Sequence, residues 1–360
     1  MKIYLSGEDP RFYKRGIDQY PARLNGGFQS PTEINASAPQ CSTGALLRML
    51  RHGGSQPYRE EGASHHARRG KNAEAFLNLA QSFRKKPCFL FMWRLRMTLL
   101  HSLIICFALY SKIPMPHVEW TKENMRCSIC FLPLVGVVIG LVEGIWIFFC
   151  TRFGIGRLTE VLVIAAISIV LTGGIHVDGF MDTMDAVNSW QDREKKLEIM
   201  RDSHIGAFSV IMLLLYYLLD IAAMSSVLDR LAVTGTSENG LPIRIIPLLL
   251  IPAFTRAITG TALVFGKSAR KDGIAYSFAE AGDLPAVRAV MVCWDAAIPI
   301  FVGITDPVTG AVFALLALMG YEFFMKNTEK QFGGITGDLC GCLILQLGLL
   351  LVIGYRIILR

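Results

Sequence analysis

Eight apolar runs constrain this chain more than any other feature of its sequence. They cover residues 97–111, 131–150, 158–172, 207–228, 245–265, 287–304, 308–324 and 343–358. A helix needs roughly 20 apolar residues to cross a bilayer, and most of these runs come near that length. With 52% hydrophobic and only 18% charged residues, the chain is too apolar for an ordinary soluble domain. The sequence therefore predicts an all-α fold, a polytopic membrane helix bundle.

Two of the runs are short for a crossing. The first, residues 97–111, is predicted to be a re-entrant or interfacial helix. The third, residues 158–172, approaches spanning length only if the helix continues through Gly173, Gly174 and Ile175. We therefore expect about seven spans plus one short helix.

The distribution of basic residues predicts the orientation of the bundle. With seven crossings, the loops at 112–130, 173–206, 266–286 and 325–342 share a face and carry twelve Lys and Arg residues, whereas the opposite loops and the C-terminus carry six. Basic loops stay on the cytoplasmic side of a membrane. The polar loops are therefore predicted to lie on the cytoplasmic face of the cell (inner) membrane.

The N-terminal quarter differs from the rest of the chain. Residues 1–86 hold 14 of the 36 basic residues but only seven of the 29 acidic ones, in runs rich in Gly, Ser, Pro and His without apolar periodicity. Such a composition predicts a basic, disordered extension before a membrane-embedded domain at 87–360. A fused remnant and a start codon assigned upstream of Met92 or Met97 both remain open as explanations.

The richest polar segment follows the third apolar run. Asp178, Asp182 and Asp185 have i, i+4 and i+7 spacing, so on a helix they fall within about 60° of one another. An acidic helix start is the alternative, but it explains one turn rather than two. Three like charges on one face repel unless a cation binds them, and hard carboxylate oxygens suit Mg²⁺ or Mn²⁺ that bridges to substrate phosphates. The stripe therefore predicts a divalent metal site.

Other polar residues share the predicted face of this stripe. His176, close to Asp178, is expected to act as a base or phosphate contact, or else only as a hydrogen-bonding loop histidine. Arg201, Asp202 and Ser203 meet Gly206 at a membrane entry, where a small residue permits close approach of a ligand. Segments 269–274 and 332–338 bring further cations and Asp338 to the same side.

Two charges fall inside predicted spans, Asp220 and Arg256. Buried charges are costly unless paired or facing a polar cavity, so a mutual ion pair and a catalytic role both remain open. Glu143 is a weaker candidate. A transporter would place such residues along a pathway, but here the polar residues concentrate in loops of one face and no inverted repeat is evident.

Several spaced motifs resemble the cobalamin synthase family, adenosylcobinamide-GDP ribazoletransferase. The strongest are GGIHVDGFMDTMD at 173–185 and IMRDSHIGAF at 199–208. Supporting pieces in the same order are IPMP at 113–116, FLPLVGVVIG at 131–140, TR at 255–256, ARKDG at 269–273 and GGITGD at 333–338. The resemblance covers roughly residues 92–360, and residues 1–86 have no counterpart.

The resemblance implies a Mg²⁺-dependent membrane transferase. A hydroxyl of α-ribazole or its 5′-phosphate would attack the cobinamide-side phosphorus of adenosylcobinamide-GDP, and GMP would leave. The implied partners are these substrates, membrane lipid and other cobalamin-assembly enzymes, but no nucleic acid.

The resemblance also implies roles for individual residues. Asp178, Asp182 and Asp185 would hold the metal, Asp202 or Asp338 would complete its shell, and His176 or an aspartate would take the proton. The implied substrate contacts are Arg201, Asp202, Ser203, Arg256, Arg270 and Thr336.

The chain departs from the family pattern at two places. Arg201-Asp-Ser-His204 stands where Lys-Asp-Ser-Arg is usual, and Asp185-Ala186 where Asp-Gly is usual. A CDP-alcohol phosphotransferase is the rival enzyme class, but its Ala-Arg pair soon after Asp-Gly is missing here.

Overall fold

The fold is assembled from helices that follow the apolar runs. The computed structural model describes residues 87–234, 243–270, 276 and 285–359; the predicted extension at 1–86 lies outside them. The α-helices are α1 (Pro87–Tyr110), α2 (Lys122–Met125), α3 (Leu132–Phe153), α4 (Arg157–Thr172), α5 (Ile175–Asn188), α6 (Arg193–Ile199), α7 (Ala207–Thr234), α8 (Ile246–Phe265), α9 (Pro285–Thr305), α10 (Pro307–Phe332) and α11 (Gly337–Ile358). Short 3₁₀ helices cover Ser128–Phe131 and Ile243–Ile245.

The predicted fold class is confirmed in this described part of the chain. Six helices, α3 and α7 to α11, are long and apolar enough to cross a bilayer, and α4 with α5 makes a seventh if the bent pair is one span. The apolar stretch Leu95–Tyr110 within α1 is shorter. The chain is therefore an all-α, multi-pass membrane bundle with one additional short apolar helix.

The third span is broken, which the sequence analysis did not predict. Helix α4 ends at Thr172, and Gly173 and Gly174 take left-handed φ angles of 66° and 80°. These angles favour glycine because it has no Cβ, and they end the helix. The chain then turns by 96° into α5. The apolar helix therefore does not continue through Gly173 to Ile175, which was the condition for the third run to approach spanning length as one helix.

Helix α8 forms the centre of the bundle and packs against α3, α9 and α11. Its contact with α3 is close because a Cβ at Gly136 or Gly140 would collide with the α8 backbone at Ala253 or Leu249. Small residues at a helix crossing allow this approach in membranes. By contrast, α7 presents exposed apolar side chains such as Leu214 and Leu218, as expected of a helix that faces lipid.

One end of the bundle gathers three polar connections, which we call the loop face: residues 173–206, 266–270 and 333–338. The backbone of Ile335 donates to the Lys267 carbonyl at 2.7 Å, and the Ala269 amide donates to Ile335 at 3.0 Å. Lys196 donates to Gln331 at 2.9 Å. These contacts confirm that loops distant in sequence converge on one side.

Candidate active site

Two helices bring three carboxylates together at the loop face. Helix α5 carries Asp178 and Asp182 on one side, and Asp338 lies in the first turn of α11. The negative charges of Asp178, Asp338 and Asp185 all act on the Asp182 carboxylate. Asp178 is exposed and the other two are partly exposed, so solvent and ligands reach them. We call Asp178, Asp182 and Asp338 the acidic face.

Two glycines explain why Asp338 lies so close to α5. A Cβ at Gly179 would stand 2.7 Å from the backbone oxygen of Asp338, and one at Gly341 would stand 2.7 Å from the backbone oxygen of His176. Such separations are too short for real side chains, and backbone atoms cannot swing away as a flexible side chain can. The α5–α11 crossing therefore depends on glycine at both positions.

Asp185 shares the α5 stripe but has a structural partner. Its carboxylate accepts hydrogen bonds from the backbone amides of Gly206 at 2.7 Å and Ser209 at 2.8 Å. These amides belong to the start of α7, where helix donors lack intrahelical acceptors. Asp185 therefore caps α7 from another helix. A Cβ at Gly206 would collide with this carboxylate, so Gly206 makes room for Asp185 rather than for the ligand that the sequence analysis expected.

The acidic face has the donor chemistry of a magnesium site. Across the described ranges, no group of three or more His, Cys, Asp or Glu side chains is arranged to hold a metal ion. Nevertheless, Asp178, Asp182 and Asp338 supply only hard oxygens, and like charges on one accessible surface favour a bound cation. The residues present therefore fit Mg²⁺ in chemistry and accessibility.

Asp202 lies in the turn between α6 and α7 and contacts its own neighbour. Its Oδ1 atom accepts from the His204 backbone amide at 3.0 Å and lies 2.6 Å from His204 Nδ1. These hydrogen bonds hold the pKa of the Asp202 carboxyl below its ordinary value. Asp202 is therefore a charged surface carboxylate on the loop face, and its predicted role as a metal ligand stays a prediction.

The predicted phosphate contacts differ in their surroundings. Arg201 and Ser203 are exposed on the loop face. Arg270 is partly buried, donates to the Leu197 carbonyl at 2.6 Å, and its charge acts on Asp338. Thr336 is buried, and its hydroxyl accepts from the Leu339 amide at 3.3 Å. Thr336 thus has a capping role at the start of α11 that the sequence analysis did not identify.

A second cluster of polar side chains lies inside the bundle. A cavity of about 110 Å³ lies among α3, α4, α5, α7, α8 and α11, and its lining includes Glu143, His176, Asp220 and Arg256. We call it the buried cavity. His176 lies two positions before Asp178 on α5, a rotation of about 200° around the helix that places the two side chains on nearly opposite sides. The predicted catalytic His176 therefore faces away from the acidic face.

The ionisable groups of the buried cavity are not paired as the sequence suggested. In the described segments, no ion pair joins Asp220 to Arg256; the acidic group whose charge acts on Arg256 is Glu143. Arg256 Nη1 donates to the Pro252 carbonyl at 2.9 Å, and Ser168 lies 3.4 Å from Glu143. The proposed mutual pair is wrong, and Glu143 was underestimated because a lone acid in an apolar run has no sequence pattern.

Comparison with known proteins points to one family. Residues 102–355 match the family described as Cobalamin-5-phosphate synthase. Adenosylcobinamide-GDP ribazoletransferase of Lachnoclostridium phytofermentans is 38% identical over 269 residues, which cover 72% of this chain and 96% of that protein. The protein of the same name from Geobacillus sp. strain WCH70 is 32% identical over 230 residues, or 63% of this chain and 84% of that one. No solved structure matches. The match spans most of the membrane domain and both motifs that form the acidic face, and the chain belongs to the cobalamin-5-phosphate synthase family.

Proposed function

We propose that this chain joins adenosylcobinamide-GDP to α-ribazole, or to its 5′-phosphate, and releases GMP with the help of a divalent cation at the acidic face. Transferase activity of this kind follows from membership of the family. The cation and the residues that hold it are the further step. The observation that carries this step is the approach of Asp338 on α11 to Asp178 and Asp182 on α5.

The reaction exchanges a phosphoanhydride bond for a phosphodiester bond. The ribazole hydroxyl oxygen forms a bond to the cobinamide-side phosphorus, and the bond from that phosphorus to the bridging oxygen breaks as GMP leaves. A bound Mg²⁺ or Mn²⁺ would neutralise charge on the diphosphate. Asp178, Asp182 and Asp338 would hold it, because they offer carboxylate oxygens on one accessible surface.

The remaining groups of the loop face position the substrates. Arg201 and Arg270 supply positive charge for phosphate oxygens, and such charge-assisted contacts fix orientation as well as affinity. A carboxylate of the acidic face accepts the proton of the attacking hydroxyl. His176 is less suited to this role, because its ring lies in the buried cavity and stacks on Tyr110.

The location supports the same proposal. The loops at 112–130, 173–206, 266–286 and 325–342 carry twelve Lys and Arg residues against six on the opposite side, which favours the cytoplasmic side of the cell membrane for the loop face. Adenosylcobinamide-GDP would be available on that side of the membrane. Exposed apolar side chains on α7 and α9 support direct contact with lipid. Association with other cobalamin-assembly enzymes is part of the proposal, and no nucleic acid is involved.

The test uses membranes that contain the full chain. They are incubated with adenosylcobinamide-GDP and α-ribazole, with and without Mg²⁺, and cobalamin and GMP are measured together. We expect equal amounts of both products, loss of activity with excess EDTA, and recovery when Mg²⁺ or Mn²⁺ is added. Full activity in excess EDTA would contradict the metal part of the proposal. If no product forms while an active relative assayed in parallel does give product, the whole proposal is contradicted.

A further inference from the structure

Another cavity lies at the end of the bundle opposite the loop face. It is lined by residues at the start of α8, at the connection from α9 to α10 and at the end of α11. Helices α8 and α10 end at the loop face and α11 begins there, so this cavity is the length of a span away from the acidic face. Its volume is about 240 Å³, and its polar lining residues are Arg244, Thr305, Asp306 and Tyr355. We call it the interface cavity.

The interface cavity contains one positive and one negative side chain that do not pair with each other. Arg244 and Asp306 both line it, and the positive charge of Arg244 acts on the Asp306 carboxylate. Within the part of the chain that the structure describes, however, no ion pair joins the two side chains. Opposite charges that stand apart in one cavity are complementary to a ligand that carries both signs.

The fold fixes the backbone from which each of these charges extends. The hydroxyl of the buried Tyr355 donates a hydrogen bond to the Arg244 carbonyl. Asp306 is the N-cap of α10, and its carboxylate accepts from the Val308 amide at 3.1 Å and from the Thr309 hydroxyl at 2.6 Å. The two oxygens of an ionised carboxylate offer about four acceptor positions, so Asp306 can also accept from a ligand.

Exposed aliphatic side chains adjoin the interface cavity. Ile243 lines it and is 69% exposed. Ile304 and Val308 directly flank the lining segment 305–307, and they are 76% and 60% exposed. In a membrane bundle, aliphatic side chains that no other helix covers are expected to contact lipid chains. A ligand of this cavity therefore has an apolar part beside its charged group, which is the architecture of a phospholipid.

The two charges discriminate between phospholipid headgroups. A purely anionic headgroup would gain Arg244 but would bring a second negative charge to Asp306. A choline headgroup carries both signs, but its quaternary ammonium has no N–H group to donate to the carboxylate. An ethanolamine headgroup has a phosphate for the guanidinium and a primary ammonium with three donors for the carboxylate. The cavity has the volume of about eight water molecules at about 30 Å³ each, which is larger than a phosphoethanolamine group.

We propose that the interface cavity binds the headgroup of phosphatidylethanolamine, with the lipid phosphate at Arg244 and the primary ammonium at Asp306. This inference goes beyond the proposed function and does not depend on it, because the cavity and the acidic face lie at opposite ends of the bundle. A lipid bound there contacts both the start of α8 and the connection from α9 to α10. It therefore stabilises the folded bundle in proportion to its occupancy.

The first measurement needs no variant. The full chain is purified in detergent, freed of lipid and titrated with phosphatidylethanolamine, phosphatidylcholine or phosphatidylglycerol that carry identical acyl chains, and bound lipid is measured by native mass spectrometry. We expect saturable binding of phosphatidylethanolamine with a Kd about tenfold or more below that of the other two lipids, which corresponds to about 1.4 kcal/mol. Equal Kd values for all three, or tightest binding of phosphatidylglycerol, would overturn the proposal. Soluble glycerophosphoethanolamine should bind at least about tenfold more weakly than the lipid, and equal affinity would make the ligand a soluble zwitterion instead.

The second measurement places the bound lipid in the interface cavity. Arg244→Gln should weaken phosphatidylethanolamine binding about tenfold, because the phosphate loses its cation. Asp306→Asn retains a good helix cap, so α10 stays intact while the preference for phosphatidylethanolamine over phosphatidylcholine falls to within about twofold. Arg152→Gln is the matched control, since Arg152 is exposed in the last turn of α3 at the same end of the bundle and does not line the cavity. Unchanged binding and preference in the two cavity variants, or an equal loss in Arg152→Gln, would show that the lipid binds elsewhere and would overturn the proposal.

Discussion

The acidic face and the buried cavity lie on opposite sides of one helix, yet they are built differently. Asp178 and Asp182 of the acidic face come from one helix and remain accessible. The cavity takes Glu143 from α3, Asp220 from α7 and Arg256 from α8, each a single charge in an apolar run. Accessible carboxylates can bind a cation from solution, whereas buried groups must satisfy one another or bind a ligand. The contrast shows that α5 separates accessible carboxylates from ionisable groups that lie among the spans.

The largest expected effect is loss of a carboxylate from the acidic face. Asp182→Asn keeps the size of the side chain but removes its charge, and we expect kcat to fall on the order of a thousandfold, since a bound metal contributes several kcal/mol to catalysis. Membrane insertion and thermal stability should remain. Turnover at saturating substrates and the Mg²⁺ concentration for half-maximal activity measure the effect.

Asp192→Asn is the control for this change. Asp192 is also an exposed aspartate of the loop face, but it accepts from Lys195 as the N-cap of α6 and is not part of the acidic face. Its replacement should leave kcat within about twofold, because an asparagine is an equally good helix cap. If both variants keep normal turnover, the division between the two sides of α5 has no catalytic meaning.

A smaller effect is expected from separating the two helices of the acidic face. Gly179→Ala forces a Cβ against the backbone of Asp338, and overpacking of this kind costs typically about 1–3 kcal/mol. Asp338 should shift away from Asp182, so that activity falls about tenfold or more and the Mg²⁺ requirement rises. Activity against Mg²⁺ concentration, together with thermal unfolding in detergent, measures both consequences.

Gly337→Ala tests whether the α5–α11 crossing itself is responsible for the loss of activity expected in Gly179→Ala. Gly337 is next to Asp338 at the start of α11, but an added Cβ there meets nothing within 4 Å. We therefore expect nearly unchanged activity and stability. Equal losses in Gly179→Ala and Gly337→Ala would mean that the approach of α11 to α5 is not what completes the acidic face.

The sequence predicted features that arise from local pattern. Apolar runs predicted the spans, and i, i+4 and i+7 spacing predicted the stripe on α5. The Gly173-Gly174 pair is a readable signal for the break in the third span. Thr336 before Leu339 was likewise a readable N-cap.

The sequence could not predict contacts that join distant helices. Glu143 and Arg256 meet through packing of separate spans, and their separation of more than one hundred residues leaves no periodic signal. The same holds for the role of Asp185, whose partners Gly206 and Ser209 lie on another helix. Asp185 has the spacing of a metal ligand, and only the tertiary structure shows that both its oxygens accept hydrogen bonds from amides at the start of α7.

The smallest effect is expected at Asp185, and it sharpens the boundary of the acidic face. Asp185→Ala removes the acceptor of two α7 amides and should lower stability by about 1 kcal/mol, the typical value of a helix cap. Asp185→Asn keeps a side-chain oxygen and should retain most of that stability. Because the carboxylate caps α7, neither change should alter the Mg²⁺ concentration for half-maximal activity by more than about twofold, in contrast to Asp182→Asn. A large shift in the Mg²⁺ requirement of Asp185→Asn would instead make Asp185 a ligand and extend the acidic face along two turns of α5.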